Sequence, residues 1–376
     1  MLTREELTTL QRSLEQRRVL SVYLDGRVAD PAARHAWRPW LSANLARLRD
    51  SLAGNGSALR EFDRCADHLA AMLAPVVGAP RSPGWVAFIT SDGAALVEAL
   101  PVPMPNAVHW TTAAWLSPYV RAQKELRPVM LVVVDARSAR VYRYALGALT
   151  PIETFHAHAR VDEPLHMGSA PRQHFHPGTR GSTGSDAAER GRREGTERML
   201  REVIDHLVPL ASPDAWILVG GMPATAREAL TMLPDHVRAR AALASGLSRI
   251  TPQSALRRAA ASGAMRLRRA LDDDVVSDVI GRASGNGKGV VGERDARAAL
   301  VVDAVYMLLL SLRFMDEHAD ASEEMTRQAL AQNAAVEIVA GSAAARLDAV
   351  GGVAAMLRFP APSMAPPLAS LSPAGL

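Results

Sequence analysis

Val129-Met-Leu-Val-Val-Val-Asp135, the turn Ala136-Arg-Ser138 and the alternating Ala139-Arg-Val-Tyr-Arg-Tyr144 open the middle of this 376-residue chain. An apolar run, a turn and strict alternation predict a meander of antiparallel strands. Gly147 turns the chain into a third strand that runs through Phe155. From His156 to about Ser185 the apolar periodicity stops, and the residues are Gly, Ser, Thr, Pro, His and Arg. Loops longer than about 12–15 residues are uncommon in compact domains and are usually functional or disordered, so this segment is the first place to look for activity. Periodicity then returns. Asp186 with Glu189 resembles a capping box, and Leu200, Val203, Ile204, Leu207 and Val208 mark a helix face. Trp216-Ile-Leu-Val-Gly220 predicts a buried strand ending in Gly220-Gly221, and Pro223 begins another helix. The unit is α/β.

Working outward, residues 1 to about 125 carry Leu7, Leu10 and Leu14 at helical spacing and then the strand run Val19-Leu-Ser-Val-Tyr-Leu24. A helix starting at Pro31 bears Trp37, Trp40, Leu41, Leu45 and Leu48; Gly54-Asn-Gly56 ends it, and Leu59, Phe62, Leu69 and Leu73 mark a second. Trp85–Ile89 and Ala95–Glu98 around Ser91-Asp-Gly93 predict a hairpin, closed by the Pro-rich stretch Pro101 to Pro105. On the other side, a basic helical linker with Arg257, Arg258, Arg266, Arg268 and Arg269 leads to Gly281-Arg-Ala-Ser-Gly-Asn-Gly-Lys-Gly289. Beyond it helix and strand patterns alternate: Arg294 to Leu300, Val305 to Leu310, Glu323 to Ala331, Val336 to Val339 and Val353 to Phe359. That order predicts a small α/β sandwich. The expected layout is a multidomain α/β chain: an N-terminal α/β domain at 1–126, a middle domain at 127–251 with its loop at 156–185, a helical linker and turn at 252–288, a C-terminal α/β domain at 289–359 and a disordered tail at 360–376.

Composition narrows the function classes. The chain is 48% hydrophobic and 22% charged, which fits neither wholesale disorder nor a fibre. No apolar run approaches the ~18 residues of a membrane helix, and Met1-Leu-Thr-Arg-Glu-Glu6 is no signal peptide, so a cytoplasmic protein without a membrane partner is expected. A single cysteine, Cys65, excludes an internal disulfide and a thiolate metal cluster. The net charge of +4 permits RNA binding without identifying it. Lys124 and Lys288 are the only lysines, an arginine skew that looks like genome composition.

Three constellations bear on chemistry. Gly285-Asn-Gly-Lys-Gly289 fails the phosphate-loop spacing and lacks the following hydroxyl, and reads as a solvated turn. His156, His158, His166, His174 and His176 place five of eleven histidines within twenty-one residues. Metal candidates among them are His156, His158, His174 and His176, but only Asp162 and Glu163 lie near as carboxylates. A polar loop tolerating phosphate oxygens is the alternative, and no cofactor is expected. Asp135 ends a strand of a unit that can be ribonuclease-H-like, yet two-metal chemistry needs several convergent carboxylates, so Asp135 reads as a turn former.

The order of these features resembles the bacterial archaeo-eukaryotic release factor-like family, the group of release factors, Pelota and Balon-like proteins. The resemblance rests on Ser21-Val-Tyr-Leu24, on Leu131-Val-Val-Val-Asp-Ala-Arg-Ser-Ala-Arg-Val-Tyr-Arg143, and on Glu194-Gly-Thr-Glu197 with Leu218-Val-Gly-Gly221. Ala335-Val-Glu-Ile-Val339 and Gly351-Gly-Val-Ala-Ala-Met-Leu-Arg358 extend it to the C-terminal region. It implies a decoding-side first domain, a ribonuclease-H-like middle domain reaching the peptidyl-transferase centre, and a third domain resembling kink-turn-binding ribosomal proteins that contacts translational GTPases. The family's Gly-Gly-Gln tip finds its best match at Gly181-Ser182-Thr183, with Gly184-Ser185 as an alternative register. Glutamine is missing, and β-branched Thr183 cannot place an amide where glutamine does, although its backbone N–H can hold a water. The stop-codon-reading Asn-Ile-Lys-Ser element is also absent from the first domain. The resemblance therefore implies a factor that binds the ribosomal A site in hibernation or rescue rather than termination. Arg172, Arg180, Arg190, Arg192 and Arg193 are its RNA-binding candidates, and the ribosome and a translational GTPase its partners. Two other readings stay open: a peptidyl-tRNA or metal-dependent hydrolase using the middle-domain loop, and a non-ribosomal interaction protein on the same scaffold.

Overall fold

The structure, a computed structural model, describes residues 2–27, 36–75, 82–158, 184–212, 215–285 and 287–360, and of residues 184–188 the backbone alone. It divides into two compact units, one of residues 1–126 with 272–376 and one of residues 127–271. Both are mixed α/β, as the sequence predicts.

In the first unit, β1 (Arg18–Asp25), β2 (Gly84–Thr90), β3 (Gly93–Leu100) and β4 (Ala107–Thr112) form an antiparallel sheet in the order β3-β2-β1-β4. β1 is buried along both faces, which is why its run has no alternation. Leu20, Val22 and Leu24 meet α2 (Trp37–Ser51) and α3 (Gly56–Leu73) on one side; Val19 and Tyr23 meet α1 (Arg4–Leu14) and α4 (Ser117–Glu125) on the other. Thr3 and Glu6 close a reciprocal capping box on α1. Ser21 and Tyr23, two residues apart on one face, grip Trp115: its N–H donates to Ser21 Oγ at 2.9 Å, and the Tyr23 hydroxyl donates to its carbonyl.

The same unit holds a second sheet of β10 (Gly289–Val291), β11 (Val305–Ser311), β12 (Ala335–Val339) and β13 (Val353–Leu357), ordered β10-β13-β11-β12 with β11 and β12 parallel. Residues of α9 (Glu293–Val301), α10 (Leu312–Glu317) and α11 (Ala319–Ala331) cover one face. α12 (Gly341–Asp348) and Val276 and Val279 of α8 (Gln253–Ser284) cover the other. Leu330 and Ile338 complete the core beneath Tyr119 and Val120, so the two ends of the chain share one apolar interior. Glu323 enters it from α11, and its carboxylate accepts from the backbone N–H groups of Leu116 (2.7 Å) and Ser117 (2.8 Å) and from Ser117 Oγ (2.5 Å), capping α4 across 206 residues of sequence.

His109 on β4 stacks flat on Trp115 with ring centroids 3.8 Å apart. Burial pushes its pKa down from 6.5 to about 4, against the opposing pull of Asp320. The folded state therefore favours the neutral ring, and this contribution is complete above pH 6.5 and is lost as pH falls toward 4. Replacing His109 with Gln is expected to remove of order 2 kcal/mol of acid sensitivity in that window, read as a flatter thermal midpoint against pH. An unchanged pH slope would refute this assignment.

The second unit is a five-stranded sheet of β5 (Val129–Val134), β6 (Ser138–Ala145), β7 (Ala148–His156), β8 (Trp216–Gly221) and β9 (Ala241–Ala244), in the order β7-β6-β5-β8-β9. Counted from its first strand the order is 3-2-1-4-5 with only the second strand reversed, the ribonuclease-H-like arrangement. Alternate residues of β5 serve opposite faces. Met130, Val132 and Val134 meet α5 (Gly184–Leu210) and α6 (Pro223–Met232), while Val129, Leu131 and Val133 meet Leu256, Ala260 and Leu267 of α8.

Several boundaries differ from the sequence reading. The backbone of α5 is helical from Gly184, so Asp186 lies inside its first turn and is not its cap. β4, α4, α7 (Asp235–Arg238), β9, β10, α10 and α12 are elements the sequence patterns do not predict. β4 is half-buried from Ala107 to Thr111 and shows no clean alternation, and Ala241-Ala-Leu-Ala244 lacks the β-branched residues that signal a strand. The helix expected from Pro31 is described from Trp37, and Pro31 lies outside the described residues, as do positions 361–376 of the expected disordered tail.

Candidate nucleic-acid interface

β5 and β8 run parallel and end together, with Val134 paired to Gly221. They approach closely there because Gly221 has no side chain: a Cβ would sit 1.9 Å from the Val134 carbonyl oxygen, and its φ of +113° lies in the region that favours glycine. Past the strand ends opens a cleft of about 440 Å³ lined by the 135–138 turn, Arg140, Thr154, His156, Met222 and Arg249.

Asp135 builds the turn. Its Oδ1 accepts from the N–H groups of Arg137 (2.7 Å) and Ser138 (2.8 Å), and its Oδ2 accepts from Ser138 Oγ (3.1 Å), with Arg249 Nε 3.8 Å away. Burial works to raise its pKa, but the two amides, the hydroxyl and Arg249 outweigh that and hold it below the usual carboxylate range. The turn-former reading of Asp135 thus describes the geometry. Asp135→Ala is expected to cost about 1–2 kcal/mol in chemical denaturation, since two amides lose their acceptor; a loss under a few tenths would contradict this role.

Two further tethers fix the turn. Thr196 Oγ1 on α5 donates to the Ala136 carbonyl at 2.8 Å, and the Ala157 N–H donates to the Arg137 carbonyl at 2.9 Å. Gly195 beside Thr196 is buried, so Gly195-Thr196 is where the helix approaches the turn. Arg140 Nη1 donates to the Arg249 carbonyl at 3.3 Å. Arg137, Arg140 and Arg249 line this cleft beside one carboxylate whose lone pairs are already engaged, so its described lining is net positive and suited to phosphate oxygens. The end of β8 supplies Gly220, Gly221 and Met222, so among the described residues Asp135 is the sole carboxylate lining the cleft, and that donor set does not fit a two-metal nuclease.

Of the residues singled out in the sequence, Arg172, Arg180, Gly181, Ser182 and Thr183 lie outside the described residues, as do His166, His174 and His176. Arg190, Arg192 and Arg193 are exposed on α5. His156 and His158 are exposed at and just past the end of β7, and no group of three or more potential metal ligands occurs among the described residues. Cys65 is buried in the first unit, where burial pushes its thiol up to about 12. Sequence reasoning did not single out Arg137, Arg140 or Arg249. The first two stand inside the 131–143 stretch, whereas Arg249 lies in a connection without periodicity. Among the described residues, no helix is long and apolar enough to cross a membrane.

Residues 115–264 match the model of bacterial archaeo-eukaryotic release factor family 10. No curated protein matches the chain. Among solved structures, the chain is similar to Dom34 of S. cerevisiae, a translation termination-like factor, at 13% identity and a TM-score of 0.41, over 64% of this chain and 66% of Dom34. It is similar to an archaeal termination factor, aRF1, at 17% identity and a TM-score of 0.26, over 95% and 99% of the two chains. A third likeness is to ribosome-bound archaeal Pelota, at 13% identity and a TM-score of 0.40, over 96% and 95%. At TM-scores below 0.5 these three add nothing to the fold described above.

Proposed function

We propose, from the match of residues 115–264 to the model of bacterial archaeo-eukaryotic release factor family 10, that the chain is a member of that family and a ribosome-associated translation factor. It enters a vacant A site and holds the segment near residues 172–185 toward the peptidyl-transferase centre, in hibernation or rescue rather than stop-codon termination. The observation that carries this reading is the arginine-lined cleft at the root of that segment, where β7 leaves the sheet beside the 135–138 turn. Termination is disfavoured because Gly181-Ser182-Thr183 offers no glutamine amide to position water. A translational GTPase is the expected partner, and the cytoplasm the expected place of action.

The test is co-sedimentation with vacant ribosomes at low salt, followed by titration with salt. Arg137→Ala with Arg140→Ala and Arg249→Ala is expected to weaken association about ten-fold and to lower the log-affinity against log-salt slope by about 2. Peptidyl-tRNA mixed with the protein should remain intact. No association of the wild type at low salt overturns the ribosome reading, and release of the nascent chain overturns the non-hydrolytic part.

A further inference from the structure

The first half of α8 is unlike the other long helices. From Gln253 to Ala270 it carries Arg257, Arg258, Arg266, Arg268 and Arg269 and no carboxylate. On α3 and α5, by contrast, arginines alternate with Asp and Glu. Leu256, Ala260, Gly263 and Leu267 form its buried stripe. At 100° per residue the five arginines occupy an arc of about 180° opposite that stripe, and the arc spans about 18 Å of helix. Arg257, Arg258, Arg266 and Arg269 are exposed and Arg268 is half-buried; none of the five makes a hydrogen bond or ion pair with a described residue. The first carboxylates that follow are engaged elsewhere, Asp272 by Lys124 and Asp273 by Arg346. Asp274 lies about 140° around the helix from Arg269.

Five guanidinium groups of one sign without counter-charges repel one another unless anions are supplied from outside. The arginine skew of the chain explains why these residues are not lysines; it does not explain the missing carboxylates. We propose that this face of α8 docks on the phosphate backbone of double-helical RNA. The inference rests on the ribosomal reading only for where such a duplex is met. Between the arginines the exposed side is small, Ala261 and Ser262, with Met265 as its one large apolar residue and no aromatic. Single-stranded RNA is held by aromatic stacking, protein partners by aromatic anchors and membranes by an apolar stripe, and this face offers none of these. A duplex passes about ten phosphates over 18 Å of its axis, enough to engage every guanidinium without reading a base.

The test uses the full chain and a 20-base-pair RNA duplex of arbitrary sequence, with a single-stranded 20-mer, an acidic polypeptide and anionic lipid vesicles as competitors. The wild type is expected to prefer the duplex over all three, and R257Q/R258Q/R266Q/R269Q to bind it at least ten-fold more weakly at 50 mM salt, with a log–log salt slope lower by about 3. The variant should keep the wild-type unfolding midpoint, since these exposed side chains make no hydrogen bond or ion pair with a described residue. Unchanged duplex affinity in the variant, or preference for any competitor, overturns the proposal. If the wild type fails to sediment with ribosomes while duplex binding still depends on these arginines, the ribosome reading falls and this one stands; ribosome binding with no effect of the substitutions on duplex affinity gives the reverse.

Discussion

Lys124→Ala is expected to destabilise the first unit by about 3–5 kcal/mol, because it breaks a buried ion cluster by removing its cation. The ammonium on α4 has three donors and three acceptors: Asp272 Oδ1 at 2.6 Å, Glu337 Oε2 at 3.0 Å and the Ile338 carbonyl at 2.8 Å. Lys124 and Asp272 are 8% and 7% exposed and Glu337 is half-buried, so the substitution would leave a buried carboxylate beside a second one without their shared cation. Burial already holds Asp272 above the usual carboxylate range in spite of Lys124, with Glu337 adding to the rise. Alanine in place of lysine removes the cation that opposes this rise and leaves the Ala340 backbone N–H to hold Asp272. Replacing all three with apolar residues of similar volume should recover most of the loss, since a buried ion cluster contributes little beyond an apolar core of the same shape. Urea denaturation of the single and triple variants checks both statements. A single-variant loss below about 1 kcal/mol would sink the cluster's assigned role.

Gly221→Ala should be comparably severe in the second unit, on the order of 3 kcal/mol or more. Its Cβ would meet the Val134 carbonyl oxygen at 1.9 Å and the Val134 nitrogen at 2.7 Å, both backbone atoms of the central strand. To relieve that contact β5 and β8 must part at their ends, and with them the hydrogen bond from the Met222 N–H to the Val134 carbonyl, 2.8 Å. Gly246→Ala is the control: its φ is +77° but the space around it is open, so only the left-handed penalty of about 1–2 kcal/mol applies. Equal losses at the two positions would mean that backbone conformation, not the approach of the strands, governs the site.

The middle sheet was legible because its central strands announce themselves. Val129–Val134 and Trp216–Gly221 are apolar throughout, and the Arg140–Tyr144 alternation marks the neighbouring strand. β9 escaped because alanine-rich tetrapeptides have no strand signature. The join between the two ends of the chain was illegible for a different reason. Lys124 and Asp272 are 148 residues apart and Ser117 and Glu323 are 206 apart, so no local period links them. In the sequence Lys124 is one of two lysines in an arginine-rich chain, with nothing local to mark it, whereas the site wants a compact cation with three donors. At the candidate interface the sequence pointed to the polar segment after β7. It missed Arg249, which reaches the Asp135 turn only through the fold.

Glu323 also dictates an order of assembly during synthesis. The cap it supplies to α4 and the apolar cover from Leu330 and Ile338 are encoded roughly 200 residues after the helix they complete. At about 5–20 residues translated per second, a nascent chain waits roughly 10–40 s with Tyr119 and Val120 uncovered, while the inserted middle sheet already has all its strands and can close. The newborn protein thus finishes its centre before its beginning, and during that interval its own amino-terminal third is the part in need of a chaperone.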